Sequence, residues 1–149
     1  MELKILKNKT AFFDLLPLDW QESILPIWNT CQEQAQILTL EQDHEICAGG
    51  IVFYKSIPEM EVYREEADLW FFKNHLYIGY VWVPESKRNN NYGSLWLKEL
   101  LLRDPNQAYW LTTEDKQLRY FYEKAGFTYV KSISCNGVEE ELFVYRNVS

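Results

Sequence analysis

The sequence predicts an α/β protein of mixed α+β character, with a central twisted mixed sheet of about six to seven strands flanked by helices. Three observations predict it. Between residues 76 and 127, apolar strand-like runs alternate with helix-period segments, which calls for a parallel pair joined by a crossover helix. Strand–turn–strand patterns flank that stretch on both sides, so hairpins complete the sheet. The chain has 149 residues, 47% of them hydrophobic and 16% aromatic, enough for one domain over 1–149 with a core of its own.

The elements follow in order. Residues 2–7, ELKILK, alternate as a short edge strand does. Residues 10–35 read as two short helices interrupted by Pro17 and Pro26. Residues 36–56 read as two strands about a polar turn near Asp43. Ser56 and Glu59 have capping-box spacing and Pro58 suits a first turn, so 57–73 is an amphipathic helix, an extra one between the third and fourth strands. Its apolar stripe is Met60, Tyr63, Ala67, Trp70 and Phe71, and Glu61, Arg64, Glu65 and Asp68 lie opposite.

HLYIGYVWV, 75–83, is apolar at nearly every position, as a strand covered on both faces is. A polar turn leads into a helix, SLWLKELLLRD, stopped at Asp104–Pro105. AYWLTT, 108–113, is a strand. The next helix is capped by Asp115 or Thr113 and stopped by a left-handed Gly126. A hairpin about Cys135–Asn136–Gly137 closes the chain.

Composition excludes several classes of function. A net charge of −7 argues against broad nucleic-acid binding, and no basic stripe or stacking platform suits RNA. The charge is compatible with a cationic substrate and equally with simple solubility. Cys31, Cys47 and Cys135 are odd in number and widely spaced, and His44 and His75 stand in no recognisable relation to them. No metal site or disulfide framework follows, and reduced thiols in a cytoplasmic protein are the simplest account. No signal-peptide pattern is present, and no apolar run approaches the ~18 residues of a membrane helix.

Two stretches carry chemistry. In RNNNYGS, 88–94, a strand turns into a helix whose first amides are free for an anion. Asn91 and Gly93 tolerate the positive φ of such a turn, and Lys87 and Arg88 bring positive charge. An ordinary polar loop would read the same way. In YFYEKAGF, Tyr122 sits one turn from its helix end, where packing alone also explains a tyrosine.

Taken together, Val81-Trp82-Val83-Pro84, then Arg88-Asn89-Asn90-Asn91-Tyr92-Gly93-Ser94, then Tyr122-Glu123-Lys124-Ala125-Gly126-Phe127 resemble the GNAT-type N-acetyltransferases. The resemblance covers nearly the whole chain and is best over 76–127. It implies an acyl-CoA N-acyltransferase-like fold and acetyl-CoA held between two splayed parallel strands, YVWV and WLTT, with no metal. It implies a bulge near Trp82–Val83, the Val83 amide as oxyanion donor, the pyrophosphate on the amides of 88–94, and Tyr122 as the acid for the leaving thiol.

The acceptor implied is a small-molecule amine or a peptide amine. Glu85, Glu59, Glu61, Glu65 or a water chain are candidate bases. Tyr63, Trp70, Phe72 and Trp110 are candidate lining for an acceptor pocket, or core. A flat strand near the C-terminus offers an edge for a homodimer. Three departures stand out: Asn91 where the family usually has glycine, Asp115 where it often has a cofactor-touching asparagine, and the helix at 57–73 where it usually has a hairpin. The other reading is a catalytically silent CoA-binding sensor or interaction module.

Overall fold

The structure, a computed structural model, describes residues 1–146. Seven strands form one sheet: β1 (Lys4–Ile5), β2 (Ala35–Gln42), β3 (Glu45–Phe53), β4 (His75–Trp82), β5 (Ala108–Thr113), β6 (Thr128–Cys135) and β7 (Val138–Tyr145), in the order β1-β2-β3-β4-β5-β7-β6. Among the described residues only β4 and β5 are parallel neighbours; every other pair is antiparallel. The two hairpin turns place Asp43 and His44, and Asn136 and Gly137, at positive φ, the requirement of a tight hairpin turn whose twist matches its strands.

Helices cover both faces. On one face, α1 (Lys9–Phe13), α2 (Leu18–Cys31) and α3 (Arg64–Phe72) build a core from Phe12, Phe13, Ile24, Trp28, Ala67 and Trp70 against the sheet. On the other, α4 (Tyr92–Arg103) and α5 (Arg119–Lys124) contribute Trp96, Leu97, Leu100 and Tyr122. The paired glycines of β3 make both contacts possible. A Cβ on Gly49 would stand 2.4 Å from the Phe12 ring, and one on Gly50 would stand 2.5 Å from the Trp96 indole. Trp96 is fully buried, and its indole N–H donates to the Leu38 carbonyl at 3.0 Å. Truncating it to alanine removes a core side chain worth about 3–5 kcal/mol.

Two sequence expectations change here. Pro26 does not end a helix: α2 runs through it, with the proline on the exposed face and one backbone bond forgone. The 57–73 segment is not one helix. It opens as a 3₁₀ stretch, Pro58–Tyr63, and becomes α-helical only at Arg64. The capping box does not form: no side chain caps the start, Ser56 Oγ lies 3.7 Å from Met60 Sδ, and Glu59 is turned elsewhere.

Candidate active site

β4 and β5 pair only through His75–Ala108, Leu76–Tyr109 and Tyr77–Trp110, and then part. On its other side β4 carries one extra residue: Gly49 and Ile51 of β3 face Trp82 and Gly79. Tyr80 occupies the bulge at φ 56°. The bulge therefore lies two residues before the Trp82–Val83 position expected from the resemblance. An extra residue reverses the alternation beyond it. Tyr77, Tyr80 and Trp82 consequently pack toward the α1–α3 core, and Ile78, Val81 and Val83 toward the α4–α5 core.

The parted strands open a cleft of about 620 Å³ that reaches both faces of the sheet. Its walls include Asp19, Trp20 and Ser23 of α2, Glu59, β4 from Tyr77 to Trp82, β5 and its turn from Thr112 to Asp115, Leu118, Tyr122 and Glu140. Glu140 shares a face of β7 with Leu142 and Val144, on the α1–α3 side. Trp20 stands edge-on to Tyr80 at 5.8 Å and to Trp82 at 5.3 Å. The Tyr80 hydroxyl donates to Glu59 Oε1 at 2.9 Å. Glu59 keeps solvent access, yet the surrounding protein raises its carboxyl above the usual range; the Tyr80 hydrogen bond opposes that rise and the Glu140 charge adds to it.

On the α4–α5 side stands Tyr122, 6% exposed, with its ring against Phe121, Phe127 and Phe143. Its hydroxyl has no hydrogen-bond partner among the described residues. Burial, with the Asp115 carboxylate second, pushes its pKa up to about 12, so it is protonated at neutral pH. Its position is set by the end of α5. Phe127 N–H donates to the Tyr122 carbonyl and Gly126 N–H to that of Glu123, with Gly126 at φ 104°, a two-bond stop that needs a left-handed residue.

The turn from β4 into α4 leaves its amides open. The first helical bond is Leu95 N–H to Asn91 O, and among the described residues the backbone N–H groups of 89–94 have no acceptor. Asn89 at φ 66° and Asn91 at φ 62° make the left-handed turns that point successive amides into one concavity. Asn90 braces the loop through its amide to the Lys87 and Arg88 carbonyls, both at 3.1 Å. Gly93 is not at positive φ, contrary to the sequence expectation. A Cβ there would meet Phe121 at 3.5 Å and Val83 at 3.6 Å, ordinary contacts. Neither backbone nor packing requires this glycine.

The basic residues are diverted. Lys87 pairs with Glu45, and Arg88 donates to the Val83 carbonyl at 3.2 Å and lies 4.8 Å over the Trp82 ring. Asp115 caps its own turn by accepting from Gln117 N–H at 2.9 Å. Of the four candidate bases only Glu59 lines the cleft; Glu61 bridges to Arg64 on the surface, and Glu65 and Glu85 are exposed. None of the four aromatics expected around an acceptor lines the cleft. Tyr63, Trp70 and Trp110 are buried core, and Phe72 is 90% exposed. Trp20, Tyr77, Tyr80 and Trp82 stand there instead.

No family model matches the chain, and no curated protein matches it. Solved structures do. A GNAT family acetyltransferase from Elizabethkingia anophelis with acetyl-CoA bound superimposes with a TM-score of 0.66 at 16% identity, over 97% of this chain and 96% of that one. The chain has the GNAT acetyltransferase fold. A Bacillus subtilis acetyltransferase in complex with CoA gives 0.66 at 14% identity, over 97% of both chains. AAC(6')-Ib in complex with ribostamycin and coenzyme A gives 0.69 at 17% identity, over 97% and 92%.

Proposed function

We propose that this protein is an acetyl-CoA-dependent N-acetyltransferase that acylates an amine by direct attack. The observation that carries the reading is the run of unpartnered amides at 89–94, beside a cleft that β4 and β5 open between them. Those amides, with the positive end of α4, suit a pyrophosphate, and Gly93 leaves the space it needs. The CoA- and acetyl-CoA-bound neighbours support the choice of ligand, and the ribostamycin-bound one supports a small-molecule acceptor.

Acetyl-CoA, when bound, supplies an acetyl group activated as a thioester. The chain's residues do the rest. Glu59, held by the Tyr80 hydroxyl, takes the proton the attacking amine loses, directly or through water. Backbone amides near the end of β4, that of Val83 among them, act as donors to the acyl oxygen. Tyr122 holds the proton for the leaving sulfur. With its pKa near 12 against about 8.5 for a thiol, full transfer is uphill by about 5 kcal/mol. The hydroxyl therefore acts first as a hydrogen-bond donor and releases its proton only as charge builds on sulfur. Trp82 and Asp115 line the site, Asp115 as a cap and not a ligand.

Thermal-shift titration with acetyl-CoA and CoA, with ATP and NAD as controls, tests the reading. Ligand at 100 times its dissociation constant adds about 2.7 kcal/mol. No shift in a folded sample removes the proposal. A shift without amine-dependent thiol release leaves a silent CoA-binding module.

A further inference from the structure

Val83, whose amide the acyl-transfer reading uses as a donor, stands past the end of β4. The ladder between β3 and β4 ends at the pair Gly49–Trp82, and pairing with β5 has already ended at Tyr77. Pro84 follows, so the peptide after Val83 has no N–H, and its carbonyl still needs a donor. A residue placed there depends on something other than the ladder for its position.

Arg88 supplies it. Its Nε donates to the Val83 carbonyl at 3.2 Å, and its guanidinium carbon lies 4.8 Å from the centroid of the Trp82 ring. The peptide that carries the Val83 N–H is therefore held on both flanks by one side chain. The guanidinium is a rigid plane, so a bond at Nε fixes where the rest of the fork lies. At its backbone end the same arginine joins the turn: its carbonyl accepts from Asn90 Nδ2 at 3.1 Å, as that of Lys87 does. Asn89, the next residue, begins the run of amides that have no acceptor among the described residues. One residue thus ties the end of β4 to the open turn.

That tie has a use that charge alone does not. Acetyl-CoA joins its pyrophosphate to its thioester by a covalent arm of limited length, so the turn and the acyl end must stand in register. Misplacing a reacting group by about 1 Å can cost about 10²-fold in rate. A cation that only attracts phosphate needs neither a bond at Nε nor an aromatic face beneath it, and a lysine serves that purpose as well.

Resting on the acyl-transfer reading, we propose that Arg88 is a positioning residue: it keeps the Val83 amide in register with the open turn by holding Trp82 and the Val83 carbonyl, and it is not a phosphate ligand. It contributes to the rate of acyl transfer and not to the affinity for CoA.

The test uses Arg88→Ala and Arg88→Lys, the second keeping the charge without the planar fork. Calorimetric titration gives the Kd for CoA, and a CoA-induced thermal shift shows each variant folded. Thiol release from saturating acetyl-CoA with hydroxylamine gives the rate; this amine is neutral at pH 7 and small enough to bypass acceptor recognition. Its nitrogen forms the new C–N bond, the C–S bond breaks, and the nitrogen's proton leaves with the CoA thiol. Both variants should bind CoA within about three-fold of the wild type and turn over about 10- to 100-fold more slowly, with a changed near-UV circular dichroism from Trp82. A phosphate ligand gives the reverse pattern: Arg88→Ala weakens CoA by about ten-fold or more and Arg88→Lys largely restores it, which overturns the proposal. Wild-type turnover or an unchanged spectrum in both variants also overturns it, as does a wild type that binds CoA and does not accelerate the hydroxylamine reaction. If the wild type binds no CoA, the acyl-transfer reading falls and takes this inference with it.

Discussion

Both central parallel strands run into a helix, and the two turns are finished in opposite ways. After β4, six consecutive amides have no acceptor among the described residues and two asparagines hold left-handed φ to keep them convergent. After β5, Asp115 N–H donates to Thr113 Oγ1, the Asp115 carboxylate accepts from Gln117 N–H, and its carbonyl accepts from Leu118 N–H. The first turn is left unsatisfied and concave. The second is closed by its own side chain and carries a negative charge that would repel phosphate. Equivalent places in one topology thus differ: in the proposed function one turn binds, and the other aims the helix that bears Tyr122.

The sharpest way to break this comparison is on the closed side. Tyr122→Phe keeps the ring packing and loses a hydroxyl that has no partner among the described residues. Turnover should fall about 10²- to 10⁴-fold while stability and CoA affinity stay put. A loss of CoA affinity instead would move Tyr122 from chemistry to binding.

On the open side, Gly93→Val should weaken CoA binding by about ten-fold or more, measured by calorimetry. Gly93→Ala separates the causes. Its Cβ fits the unliganded protein, so it should stabilise α4 by about 0.5–1 kcal/mol and still weaken CoA. Unchanged affinity in both variants would leave the turn an ordinary loop.

Asp115→Ala should cost about 0.5–1 kcal/mol in chemical denaturation through the lost cap, with CoA affinity no worse. Weaker CoA binding would make Asp115 a ligand after all.

The smallest effect lies at Glu59, away from both turns. Its folded pKa is raised, so the folded protein holds that proton more readily than the unfolded chain does. The stability this contributes is complete below the unfolded pKa and is lost as pH rises through the folded one. At neutral pH the charged carboxylate is a burden. Glu59→Gln keeps an acceptor for Tyr80 and should raise Tm slightly at pH 7 and not at pH 4, while turnover drops. A lower Tm at pH 7 would show that the charge is compensated.

Much of the frame was legible in the sequence, because turn chemistry is local. Gly126 stops its helix, Asn91 takes the left-handed position, Asp115 caps, and the parallel pair starts at His75, one residue before the 76–127 stretch, and otherwise lies within it. The acceptor side was not legible. HLYIGYVWV is apolar at nearly every position, so no alternation exists for a bulge to interrupt, and Tyr80 gives no local sign of its φ. Helical periodicity around Met60, Tyr63, Ala67 and Trp70 does place an apolar face inward, but it hides the 3₁₀ opening that turns Glu59 into the cleft. Asp19, Glu59, Glu114 and Glu140 come from four separate segments, and only the folded sheet collects them.

The bulge at Tyr80 has one more consequence. Because a single surplus residue decides which face Tyr80, Val81, Trp82 and Val83 address, the information there is held in the count of residues more than in their identity. Substitutions across 79–82 should be graded in effect, whereas deleting any one of these residues should exchange the two faces and abolish activity at once. A paired deletion and substitution scan would reveal a site inherited by its length.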